Sequence, residues 1–248
     1  MSTTYETGHA KNAANFQILI ANVTGYGASY NPSMASIKLP NLNALANAAN
    51  ATIANLNSLL PRYSNAVAER EAAFEPLSRL STKMYNSLKA TDAIKQVKDN
   101  AETNHRKLSG RRASAKLSEE EKQMRLAKGD EVKQISASQK SYDNMLDTLD
   151  KQIKLLADIP SYVPNEIELQ IATLQELFNT LQIKNTAVQQ QLVLLNAARI
   201  ARNEALYNAK TGIVAVAQDV KNCAKSVFGV SSANYKLISG IAIRKIKI

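Results

Sequence analysis

The sequence predicts an all-α fold: an elongated antiparallel bundle of three or four long helices, with irregular N- and C-terminal extensions. Two observations predict it. No glycine lies between Gly27 and Gly110 or between Gly129 and Gly212, and strand-like alternation is missing from both intervals. Apolar residues recur there instead at the spacing of one helix face, as a coiled coil or bundle requires. With 248 residues, 45% of them apolar, the chain has material for a substantial core.

Residues 1–40 form an extension with one short helix, Lys11 to Val23, followed by a loop-like run from Gly25 to Pro32. The bundle spans 41–228. Its first stripe takes Leu42, Ala49, Leu56, Tyr63, Arg70, Leu77 and Met84, joined by Ala46, Ile53, Leu60, Val67, Phe74 and Leu88. Pro61 and Pro76 each remove an amide donor and crowd the preceding turn, so each predicts a kink or a short break. Residues 90–117 read as a short helix and then an exposed basic loop, 105–117.

Ser118 followed by Glu121 is a capping box and predicts a helix start. That helix carries Val132, Ile135, Tyr142, Met145, Leu146, Leu149, Ile153 and Leu156 on one face and closes at Pro160. A second capping box, Asn165 with Glu168, opens the longest segment, whose stripe runs from Ile167 through Leu174, Leu181, Val188, Leu195, Leu206, Ile213 and Val220 to Val227. Gly229 is its expected C-terminal stop. Helical throughout, residues 165–228 would extend roughly 95 Å. The tail, 229–248, ends in the β-branched run Ile241 to Ile248, a short strand that would need the N-terminal segment or a second copy as partner.

A shift of 132 residues pairs Leu42 with Leu174, Leu45 with Leu177, Leu60 with Leu192, Arg70 with Arg202 and Ala73 with Ala205. Leucines coincide in any two such stripes, so the arginine match is what points to an internal repeat.

The formal charge is +10, and its placement carries more than its size. Residues 105–117 hold five lysines and arginines, residues 229–248 hold four, and neither stretch has an acidic residue. Arg106, Lys107, Arg111, Arg112, Lys116, Arg244, Lys245 and Lys247 are therefore candidate partner-binding residues. Such runs attract nucleic-acid phosphates or an anionic membrane surface. Only Tyr235 lies near either run, so a base-stacking platform is poorly supported, and a solvated loop and tail is the simpler reading. Arg111-Arg112-Ala113-Ser114 also has the form of a basophilic kinase substrate.

Residues for chemistry are scarce. His9 and His105 read as solvated, and Cys223 as a small buried hydrophobe on the apolar stripe. Glu119-Glu120-Glu121 fits a first helical turn, where acids complement the helix dipole. No metal-ligand spacing, phosphate cradle or nucleophile elbow is present, so neither cofactor, metal nor small-molecule substrate is expected. Arg70, Asn185, Arg199 and Arg202 lie on the apolar stripes, where polar groups set register by pairing across the seam with Asp or Glu; a ligand site lined by these arginines is the alternative. No signal peptide or membrane span is seen, which places the expected protein in the cytoplasm.

The functional expectation is a non-enzymatic structural or protein-interaction bundle that self-assembles into a homo-oligomer or filament through its terminal segments. The alternatives are a membrane-active protein of pore-forming-toxin type, which would need a concealed apolar hairpin, and a basic nucleic-acid-binding bundle.

Overall fold

The structure, a computed structural model, describes residues 8–111, 118–128 and 141–246. It is all-α, with no strand among the described residues. In chain order the helices are α1 (His9–Gly25), α2 (Leu39–Phe74), α3 (Leu77–Lys89), α4 (Lys95–Ser109), α5 (Glu119–Ala127), α6 (Tyr142–Ala157), α7 (Ile171–Tyr207), α8 (Ile213–Phe228) and α9 (Ala233–Ser239). A 3-10 turn precedes each of the two long helices, Ala35–Ile37 before α2 and Ile167–Leu169 before α7. Among the described residues no helix is long and apolar enough to cross a membrane.

The chain forms two units, Met1–Ser64 with Gln190–Ile248, and Asn65–Gln189; α2 and α7 contribute to both. In the first unit α1 buries Asn12, Ala13, Phe16, Leu19, Ile20 and Val23, a single face at helical spacing. That face packs with Leu42, Ala46 and Ala49 of α2, Leu206 of α7, the α8 stripe Ile213, Val216, Val220 and Ala224, and Ile238 of α9. Farther along α2, Leu56 and Leu59 meet Leu195 and Ala198 of α7 in a small separate cluster.

The second unit buries Phe74, Leu77, Met84 and Leu88 against Ala101 and Leu108 of α4, Leu149, Ile153 and Leu156 of α6, and Leu174 and Leu181 of α7. Burial of each such leucine stabilises by about 1.5–3 kcal/mol, so the apolar stripes are what select this packing. Polar residues enter this core too: Ser81, His105, Thr148, Gln152 and Asn185 are all buried.

The 132-residue shift extends well beyond coincident leucines. The 3-10 turns at 35–37 and 167–169 correspond at that shift, as do the extended residues after them, Lys38 (φ −71°, ψ 144°) and Gln170 (φ −66°, ψ 143°). Tyr30 donates its hydroxyl to the Ile37 carbonyl at 2.8 Å, and Tyr162 donates to the Leu169 carbonyl at 3.2 Å. Core positions follow: Leu42 with Leu174, Ala49 with Leu181, Phe74 with Leu206, Met84 with Val216, Leu88 with Val220. Upstream of the tyrosines the shift becomes 133, matching Phe16 to Leu149, Ile20 to Ile153 and Val23 to Leu156. Each unit thus combines the first part of one repeat with the last part of the other.

Several expected boundaries move. Pro76 ends α2, but α2 runs on through Pro61. Pro61 is exposed, so water can satisfy the Asn57 carbonyl that its missing amide leaves free. Ser118 and Glu121 do make a reciprocal capping box at α5. Among the described residues the expected helix over 118–156 is two, with α6 starting afresh at its own cap Ser141; Val132 and Ile135 lie outside the described residues.

Asn165 and Glu168 form no capping box: Glu168 pairs with Lys83, and α7 opens only after Gln170. Nor is 165–228 one helix. It breaks between Tyr207 and Ile213, where the Asn208 side-chain oxygen accepts the amides of Lys210 (2.8 Å) and Thr211 (3.0 Å) and so offers the backbone an alternative to the helical ladder. At Gly212 any Cβ would lie 2.6 Å from the Asn208 nitrogen, so the turn closes only on glycine. Gly229 does end α8.

Of the basic loop expected at 105–117, the described part is mostly helical. Residues 105–109 are the last turn of α4, which closes in a Schellman motif, with Arg111 N donating to the Arg106 carbonyl at 2.9 Å and Gly110 N to Lys107 at 3.2 Å. Gly110 takes the left-handed conformation this requires (φ 68°). Finally, 241–246 form no strand. They follow α9, a helix that periodicity alone does not announce in the tail.

Candidate functional site

The best-defined polar arrangement is the cradle that holds the C-terminal segment in the first unit. Asn12 on α1 uses its side-chain amide as a peptide group would: Nδ2 donates to the Arg244 carbonyl at 2.7 Å and Oδ1 accepts the Arg244 amide at 3.1 Å. One turn on, Asn15 Nδ2 donates to the Ala242 carbonyl at 2.7 Å. As α1 advances from 12 to 15 the tail runs back from 244 to 242, so the segment lies antiparallel to the helix. From α8, Lys221 Nζ donates to the Ile241 carbonyl (2.6 Å) and to that of Ser239 (3.2 Å). Side chains thus satisfy a backbone that has no strand beside it.

Packing adds to the polar contacts. Ile241, Ile243 and Ile246 lie against the core of the first unit, while the Arg244 and Lys245 side chains are exposed. Behind Asn12, the buried Tyr207 hydroxyl receives the second Nδ2 hydrogen at 3.3 Å and lies 2.7 Å from His9 Nδ1. Burial, with Arg202 nearby, lowers the His9 pKa, and burial raises that of Tyr207. Burial also lowers the Lys221 pKa, with help from Arg244. His9 is therefore a helical residue tied to a tyrosine, rather than part of a solvated end.

A second cluster sits in the other unit. The Arg70 guanidinium lies 3.9 Å from the centre of the Tyr142 ring and donates to Asn185 Oδ1 at 3.2 Å. Asn185 Nδ2 donates in turn to Asp143 Oδ1 at 2.7 Å. Two of the four register candidates, Arg70 and Asn185, are thus brought together, with the carboxylate reaching the asparagine rather than the arginine. The other two are not: Arg199 is exposed and bonds Asn196 on its own helix, and Arg202 bonds its neighbour Asn203. Where Asp or Glu partners were expected, Arg70, Arg199 and Arg202 each bond an asparagine side-chain oxygen instead.

His105, expected in solvent, is buried. Its Nδ1 lies 3.0 Å from Ser81 Oγ and its ring stacks on Tyr85, centroids 5.5 Å apart. A serine beside a histidine can serve as nucleophile and base. Here the Ser81 hydroxyl donates to the Ser78 carbonyl at 2.9 Å, which leaves its oxygen to accept from His105, and Ser81 is 1% exposed, so no substrate reaches it. Burial first, then Arg111, lower the His105 pKa.

The other basic candidates are spread out. Arg106 pairs with Glu102 at 3.7 Å, and with Lys107 it occupies the last turn of α4, where cations complement the helix dipole. Arg111 follows that helix, exposed. Arg112, Lys116 and Lys247, and with them the kinase-type pattern through Ser114, lie outside the described residues. Cys223 is half-buried, its thiol pKa raised by burial. An open cleft of about 540 Å³ is lined by Ser87, Thr91, Asn165 and Glu166, with the Lys83–Glu168 pair at its edge. Among the described residues no cluster of His, Cys, Asp and Glu is built to hold a metal ion.

The cradle was not legible in the sequence. Asn12 and Asn15 are two of many asparagines, and the only signal was that an apolar β-branched tail needs a partner. No protein-family model, curated protein or solved structure matches this chain.

Proposed function

We propose that this is a non-enzymatic structural or protein-interaction helical protein that binds extended peptide segments, and that its own C-terminal segment can be exchanged between copies to build a homo-oligomer or filament. The observation that supports this reading is the Asn12 cradle: it recognises a peptide backbone through its carbonyls and amide, and apolar side chains through a core groove, as strand-addition sites do. A contact made within one chain can be made by an identical segment of another, and head-to-tail exchange of that kind propagates. The elongated antiparallel bundle expected from the sequence belongs to this proposal, since a rod with an exchangeable end is a natural filament subunit. Nucleic acid and anionic membranes stand behind it as partners, because Arg106 and Lys107 already serve the end of α4.

The test is cross-linking across the cradle. Cysteines at Asn15 and Ala242, in a chain with Cys223→Ser, are joined by a short thiol cross-linker at rising protein concentration. Exchange yields a ladder of linked copies that grows with concentration. Only intrachain links at every concentration would remove the self-assembly reading.

A further inference from the structure

Hydrogen counting at the cradle fixes the state of His9. Asn12 Nδ2 has two hydrogens, one given to the Arg244 carbonyl at 2.7 Å and the other to the Tyr207 hydroxyl oxygen at 3.3 Å, while Asn12 Oδ1 accepts the Arg244 amide at 3.1 Å. The single phenol hydrogen of Tyr207 then points at His9 Nδ1, 2.7 Å away, and the ring accepts it only while that nitrogen carries no proton. One hydrogen-bonded path thus runs from neutral His9 through Tyr207 and Asn12 to the backbone of the tail. His9 is half-buried, so water reaches its ring, whereas Tyr207 is buried.

We propose that protonation of His9 releases the C-terminal segment, which makes the tail a latch that is closed at neutral pH and opens in mild acid. A proton on Nδ1, whether the ring stays in place or turns out to water, deprives the Tyr207 hydroxyl of its acceptor. A buried donor left unmet is costly, and the acceptor that the cradle can offer instead is Asn12 Oδ1. Turning the Asn12 amide over to present that oxygen breaks both of its bonds to Arg244.

Charge acts in the same direction. Residues 1–64 and 190–248, the first unit, hold twelve lysines and arginines against three acids. Of those acids Glu6 lies outside the described residues, Glu204 is exposed and takes the Asn208 amide, and Asp219 is on α8. The other charged or titratable groups on the elements that meet here are Lys11 on α1, Arg202 and Tyr207 on α7, Lys221 on α8, and Arg244 and Lys245 in the tail. Burial and then Arg202 hold the His9 pKa below its ordinary value, and Arg244 acts on Lys221 in the same sense. An imidazolium therefore joins a group of cations, and release carries Arg244 and Lys245 away from it. With the tail bound His9 takes a proton less readily than with the tail released. The latch accordingly holds above about pH 6.5 and loosens as pH falls through 6.5 towards the lower value of the bound form. This inference rests on the reading of the tail as an exchangeable segment and supplies its regulation.

Amide hydrogen exchange on the full chain tests it, expressed at each pH as protection relative to the unstructured rate. Between about pH 7.5 and pH 5 the protection of the Arg244 amide falls, by about tenfold for each pKa unit that His9 recovers on release. The buried helical amides of Ile20 and Val220 keep theirs, which separates release of the tail from opening of the unit. His9→Gln keeps an acceptor for Tyr207 but does not titrate, so its Arg244 protection stays level across the range. Tyr207→Phe removes the hydroxyl that links His9 to Asn12 and loses most of the response. Wild-type protection at Arg244 that stays flat, or that falls together with Ile20 and Val220, overturns the latch, as does either variant responding like wild type. The 15/242 cross-linking ladder is read at neutral pH, so exchange between copies and acid release within one chain can each fail without the other.

Discussion

Tyr30 and Tyr162 stand 132 residues apart and make the same bond, each to the carbonyl seven residues on, just ahead of a long helix. Ile37 and Leu169 are buried, and their carbonyls lie outside the helical ladder, so without the phenol each would be an unsatisfied acceptor. Tyr30→Phe and Tyr162→Phe should therefore each cost about 1–3 kcal/mol. Urea unfolding of the two variants checks this, and costs differing several-fold would mean that the turns are alike in shape but not in role.

The repeat also identifies a position where one unit is less well made than the other. Gln152 is 1% exposed, and neither its Oε1 nor its Nε2 has a partner among the described residues. At the 133-residue shift its counterpart on α1 is the fully buried Leu19. Gln152→Leu keeps the volume and removes the unpaired groups, and should stabilise by about 1–3 kcal/mol. A thermal midpoint at or below wild type would refute it.

Gly212 holds the break between α7 and α8. A Cβ there would sit 2.6 Å from the Asn208 nitrogen and 2.8 Å from its carbonyl oxygen, both backbone atoms that cannot swing aside. Gly212→Ala should cost about 1–3 kcal/mol. Gly25→Ala, with nothing within 4 Å, should be neutral or slightly stabilising, which makes it the control in the same calorimetric series.

Acid should weaken the second unit through His105. Its folded pKa lies below the ordinary 6.5, chiefly through burial, with Arg111, Lys89 and Arg106 acting the same way against the opposing Glu102. The unfolded chain therefore binds a proton first. The stabilising contribution of neutral His105 is complete above about pH 6.5 and is lost as pH falls through 6.5 towards the lower folded value. His105→Gln should flatten the fall in denaturation midpoint between about pH 7 and pH 5, apart from the share of His9, also lowered by burial and Arg202. An unchanged slope would show that His105 does not titrate on unfolding.

Asn12→Ala removes both bonds to Arg244 and the one to Tyr207. Amide exchange at 241–246 should then accelerate by about tenfold or more, as two or three bonds near 1 kcal/mol each are lost from a segment held mainly by side chains. The α8 amides report separately: if they accelerate equally, the substitution has loosened the whole unit rather than the tail.

Much of the secondary structure was readable locally, because its signals are local. The capping box at Ser118, the stop at Gly229 and the break at Pro76 depend on residues within one turn of one another. Errors arose where a local signal had a competitor. Glu168 could cap or pair, and Lys83, distant in sequence, took it; Asn208 could ride in a helix or cap a turn, and Gly212 allowed the turn. His105 was misplaced because its burial depends on α3 and α6 packing against α4, which no neighbour in the chain reveals.

By itself the sequence determined an all-α protein and a half-hidden repeat, since periodicity, punctuation and composition are properties of consecutive residues. Only the tertiary structure decided that Asn12 meets Arg244, that Tyr30 and Tyr162 do matching work, and that each unit takes parts from both repeats. Those outcomes depend on which buried carbonyl and amide come together across more than a hundred residues, and a hydrogen bond of 3 Å has no periodicity along the chain to betray it.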